Sequence, residues 1–157
     1  MRTMPQVGVV CGVDTHADVH AAAVVDGNGQ VLAVNQFEAN REGYAQLIAW
    51  ASGFGEVRSV GVEGTSSYGK GLVVLLRQSG IEVREVIRPN RQTRRRNGKS
   101  DPADAIAAAR SVLSGEASAV PKTGDGPIEA IRTLRIARSS AVKARTQAAN
   151  QIRDLIT

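Results

Sequence analysis

The chain has 157 residues, 42% hydrophobic and 22% charged, a balance that supports a folded core and excludes an intrinsically disordered protein. Twenty Lys and Arg against fifteen Asp and Glu leave a formal charge of +5, which points toward a polyanionic partner. A single cysteine excludes an internal disulfide and a Cys-based zinc site, and no apolar run reaches the roughly 18 residues of a membrane span.

Val7 to Val13 is a continuous β-branched run, predicting a strand buried on both faces, with Cys11 as a small buried hydrophobe in it. His20 to Val25 and Val31 to Phe37 flank DGNG (Asp26 to Gly29), whose Gly and Asn residues suit a hairpin turn. Asn40 then caps a predicted helix carrying Tyr44, Leu47, Ile48 and Ala51 on one face. Ser59 to Val62 reads as a strand ending at Glu63. The polar turn Gly64 to Gly71 leads into a helix over Leu72 to Gln78, stopped by Gly80, and Ile81 to Ile87 alternates as another strand.

Arg84 to Lys99 holds seven basic residues and one acid, Glu85, a one-signed stretch that suits a phosphate backbone. A helix follows from Pro102 to Leu113, ending near Gly115. The order β-β-β-α-β-α-β-α implies a mixed sheet with helices on its faces, an order shared with the ribonuclease H-like fold.

GEASAVPKTGDGP (Gly115 to Pro127) breaks the pattern, and a long helix starts at Ile128 with apolar or small residues at Ile131, Leu134, Ala137, Ala141, Ala144, Ala148, Ile152 and Leu155. Alone such a helix is marginal, so it predicts a partner. Its arginines, among them Arg132, Arg135, Arg138, Arg145 and Arg153, suit either nucleic acid or the solvated side of a coiled coil. Because the pattern still runs at Thr157, a longer protein is expected. The predicted organisation is a catalytic domain over residues 1–115, a linker over 116–127 and the start of a long basic helix over 128–157.

The acids carry the chemistry. Asp14 ends the first strand and Glu63 the fourth; parallel neighbours would bring both to the carboxyl edge of the sheet, where open α/β sheets bind ligands. Asp101 and Asp104 share one face of the third helix at its start. Four converging carboxylates repel unless cations neutralise them, and Mg²⁺, or Mn²⁺ in its place, suits such oxygen ligands and phosphate together. Taken singly, each acid also has a bland role: Asp101 as a helix cap, Asp104 against the helix dipole, Asp14 and Glu63 as strand-ending turn residues.

The set GVDTH (Gly12 to His16), VEGTSSYG (Val62 to Gly69) and KSDPADA (Lys99 to Ala105), followed by a basic long helix, resembles the DEDD insertion-sequence transposases. That family is related to the Piv-type DNA invertases, and its catalytic domain looks like the RuvC Holliday-junction resolvase. The resemblance covers essentially the whole chain. It implies a RuvC-like domain in which Asp14, Glu63, Asp101 and Asp104 bind Mg²⁺ and cleave or join DNA strands. Arg88, Arg91, Arg94, Arg95, Arg96 and Lys99 are the expected nucleic-acid contacts. It further implies a structured guide RNA, a C-terminal domain with a catalytic serine beyond this chain, a homo-oligomer (dimer or tetramer) held by the C-terminal helix, and a bacterial, cytoplasmic, nucleoid-associated setting without membrane contact.

Other residues carry weaker expectations. His16 and His20 flank the start of the second strand and are expected to be structural or at the surface. Thr15 and Thr65 suit a phosphate, a carboxylate or a local turn, and Tyr68 is expected to pack. The competing function is a non-catalytic DNA- or RNA-binding module of the same fold. An ATPase of the actin or sugar-kinase type is disfavoured, because no duplicated domain or Gly-rich phosphate loop is present.

Overall fold

A computed structural model describes residues 8–87, 101–123 and 126–156. The expected basic contacts Arg88, Arg91, Arg94, Arg95, Arg96 and Lys99 lie outside the described residues. The elements form two units, one ending at Pro121 and the other beginning at Lys122.

In the first unit the strands are β1 (Gly8–Thr15), β2 (Val19–Val25), β3 (Val31–Glu38), β4 (Glu56–Glu63) and β5 (Glu82–Val86), and the helices α1 (Arg41–Ser52), α2 (Lys70–Gln78) and α3 (Asp101–Leu113). The sheet runs β3-β2-β1-β4-β5. β1 pairs antiparallel with β2 and parallel with β4, so the apolar run opening the chain becomes the central strand. Burial from Val9 through Thr15 follows from that position.

The β2–β3 turn closes on Asp26, whose Oδ1 accepts from the N–H groups of Asn28 and Gln30, both at 2.9 Å. Gly29 there has φ +80°, a conformation that favours glycine. Asn40 caps α1 as its sequence predicts: its Oδ1 accepts from Gly43 N–H at 2.8 Å. β4 begins three residues before Ser59, because Glu56 and Val57 pair with Gly8 and Val9 in the parallel ladder. That pairing is non-local, and Glu56 to Arg58 alone show no buried run.

The sheet separates two cores. On one face Val9, Cys11, Val13, Val60 and Val62 pack with Leu47 of α1 and Leu72 and Leu76 of α2. On the other, Val10 and Val25 meet Ala109 of α3, and Ala21 and Ala23 meet Ala105. Period-2 alternation thus assigns Gly12, Asp14, Gly61 and Glu63 to the α3 face.

After α3 the chain turns at Gly115 (φ +80°) and runs beside β5. Glu85 N–H donates to the Ala119 carbonyl at 2.7 Å, and Arg84 Nη1 to the Ser118 carbonyl at 2.7 Å. Arg77 donates to the Pro121 carbonyl. The second unit holds α4 (Pro127–Ile156), 30 residues long, with no buried residue. Among the described residues no helix is long and apolar enough to cross a membrane.

Candidate metal centre

Glycine sets how close α3 lies. A Cβ on Gly12 would stand 2.2 Å from both the Ala105 carbonyl oxygen and the Ala109 nitrogen, and one on Gly61 would stand 2.6 Å from Val112 Cγ2 and 3.0 Å from the Ala108 carbonyl. The bare strands and the alanine face of the helix therefore meet almost backbone to backbone. Ala105 and Ala109 ride over β1, and Ala108 and Val112 over β4.

This contact orients the start of the helix. Side chains four residues apart share a face and tilt toward the N-terminus. Asp101, one turn before Ala105, accordingly lies toward β1. Asp104, one turn before Ala108, lies toward β4. Both are partly buried.

On the sheet, Val13 pairs with Val62 in the parallel register. The next residues of the two strands, Asp14 and Glu63, therefore follow side by side on the α3 face. Asp14 is 0% exposed and Glu63 is 5% exposed. Thr15 ties the strand ends together, its hydroxyl donating to the Glu63 carbonyl at 2.7 Å. Thr65 does the same one strand further, donating to Glu85 Oε1 at 2.6 Å. Both threonines thus serve the scaffold around the acids. Gly64, with φ +70°, turns the chain sharply after Glu63, and a Cβ there would press on Thr15 Oγ1 at 2.9 Å.

His16 joins this group. Its Nδ1 lies 3.7 Å from Asp14 Oδ2 and its Nε2 lies 3.8 Å from Asp101 Oδ1. One ligand atom from each of Asp14, His16 and Asp101 falls within 4.8 Å of the other two. The expectation of a purely structural or surface role overlooked this. The signal was in the sequence: residues two apart in an extended chain share a face, so Gly12, Asp14 and His16 all look toward α3.

His20, expected to be structural or at the surface, is buried and stacked on Tyr44 with centroids 5.4 Å apart. Burial pushes its pKa below the ordinary imidazole value, opposed by backbone groups at Val19 and Tyr68. Its Nδ1 accepts from His16 N–H at 3.3 Å, which puts the ring proton on Nε2. Tyr68 differs from expectation. It is 58% exposed, because it sits in the turn between Gly64 and α2 and not on a core-facing element.

The profile of the IS110-type DEDD transposases, described as "Transposase", matches residues 11–157. The chain belongs to that family. The mini-circle transposase for IS117 of Streptomyces coelicolor is 29% identical over 155 residues, taking in 94% of this chain. The chain spans 37% of that relative's length. Among solved structures, T. thermophilus RuvC, determined in complex with a Holliday junction substrate, is 14% identical. Its TM-score is 0.51, covering 71% of this chain and 97% of that one. The likeness is one of fold, and this transposase domain has the expected ribonuclease H-like, RuvC-like architecture.

Proposed function

We propose that the chain is the N-terminal catalytic domain of a DNA transposase or site-specific recombinase that cleaves or joins strands during insertion-element transposition. Asp14, Glu63, Asp101 and Asp104 are its metal-holding residues. One observation carries this: a fully buried Asp14 on the central strand, with Glu63 beside it on the parallel neighbour and a ligand atom of Asp101, at the acidic start of α3, within 4.8 Å of one of Asp14.

Burying neighbouring carboxylates costs hydration and sets like charges against each other. A divalent cation offsets both effects, and the donor set of carboxylate oxygens suits Mg²⁺, with Mn²⁺ as a substitute. When bound, such an ion supplies neutralisation of phosphate charge and activation of an attacking hydroxyl.

The chain's own residues do the rest. Asp14 and Glu63, on rigid strands, fix the floor of the site, while Asp101 and Asp104 come from a helix locked onto Gly12 and Gly61. Arg88, Arg91, Arg94, Arg95, Arg96 and Lys99 are proposed to hold the DNA backbone. A structured guide RNA is the proposed second nucleic acid. The exposed, heptad-spaced apolar positions of α4, including Ile131, Leu134, Ile152 and Leu155, suit self-association into a dimer or tetramer. The setting is the bacterial cytoplasm, at the nucleoid.

The test is Asp14→Asn and Asp104→Asn in the full-length transposase, assayed on element DNA. Each change is expected to lower strand cleavage by at least about a hundredfold, with DNA binding retained. Unchanged cleavage would overturn the assignment and leave a binding module.

A further inference from the structure

His16 lies outside the four acids yet stands between two of them. Its separations of 3.7 Å from Asp14 Oδ2 and 3.8 Å from Asp101 Oδ1 exceed a hydrogen bond, which spans about 2.7–3.2 Å. An ion takes only one nitrogen of an imidazole, and one ligand atom from each of Asp14, His16 and Asp101 lies within 4.8 Å of the other two, close to the roughly 4.2 Å that separates opposite donors of an octahedral ion. The imidazole is 39% exposed and borders an open depression lined also by Asp18, Gln36 and Asp101. A hydrated ion can reach it from there.

The position of His16 is built into the fold. His16 follows the last residue of β1 directly, and its ring lies on the side of the sheet that carries Asp14. Its backbone N–H is held by the buried, Tyr44-stacked ring of His20. The two histidines thus divide the work. One is a buried post, and the other presents its ring to the acids.

Resting on the metal centre proposed above, we infer that His16 supplies a nitrogen ligand to the ion held by Asp14 and Asp101. The centre is then a mixed nitrogen–oxygen site that favours Mn²⁺ over Mg²⁺. Mg²⁺ is a hard ion that takes oxygen donors, whereas imidazole raises affinity for first-row transition ions.

The test uses Mn²⁺ on the full chain, followed by pulsed electron paramagnetic resonance, with Mn²⁺ and Mg²⁺ affinities measured in parallel. Wild type is expected to show ¹⁴N coupling to Mn²⁺. His16→Ala should lose that coupling and bind Mn²⁺ about tenfold more weakly, with a smaller change for Mg²⁺. His16→Asp, an all-oxygen centre, should keep Mg²⁺ and lose the Mn²⁺ preference. Three results would each overturn the inference: coupling that persists in His16→Ala, equal losses of both metals, or a wild type that takes up no Mn²⁺. The four-acid assignment fails differently, through strand cleavage that survives Asp14→Asn.

Discussion

Cys11 shows what one buried residue commits the protein to. It sits on the central strand at 0% exposure, and burial pushes its thiol from 9.0 up to about 12. Above pH 9.0 the unfolded chain releases a proton that the folded chain keeps. Stability from this group is therefore complete below that pH and falls by up to about 1.4 kcal/mol per pH unit as pH rises toward the folded value. Between about pH 8 and about pH 10.5, wild type is expected to lose about 2 kcal/mol more than Cys11→Ala in denaturant titrations. Identical pH profiles would show that the thiol does not titrate differently on folding. The burial of Cys11 was legible from its apolar neighbours. The role of His16 was legible only in part: alternation gave its face, but nothing local said that a helix more than eighty residues later would bring Asp101 to its other nitrogen.

Between elements, the decisive contact is α3 on Gly12 and Gly61. Replacing Gly12 with Ala sets a Cβ 2.2 Å from main-chain atoms of Ala105 and Ala109, and a helix backbone cannot swing aside as a side chain can. The helix must lift, at an expected cost of about 3 kcal/mol in chemical denaturation, and Mn²⁺ affinity should fall with it as Asp101 and Asp104 retreat. Gly27→Ala is the control. Nothing lies within 4 Å of a Cβ there, and stability should stay within about 0.5 kcal/mol. Equal stability of the two variants would mean that the close approach does not position the site. The helices and hairpin were readable because caps, periodicity and turn residues are local signals. The early start of β4 was not, since it depends on a ladder with β1.

For the whole molecule the question is how charge and topology combine. The positive charge concentrates in the segment that precedes the acids of α3, and Arg94, Arg95 and Arg96 are its densest part. If these three contact phosphates of duplex DNA, replacing them with Ala should flatten the dependence of log affinity on log salt by about 2 to 3 units. A slope unchanged by the triple replacement would place the backbone contacts elsewhere. By itself the sequence determined the element order, the buried central strand, the positions of the four acids and the family, because each is written in neighbouring residues or short motifs. Only the tertiary structure decided that β1 and β4 are parallel neighbours in register, that α3 lies backbone to backbone on Gly12 and Gly61, and that ligand atoms of Asp14, His16 and Asp101 come within 4.8 Å of one another. Those outcomes depend on contacts between residues far apart in the chain, which no local pattern encodes.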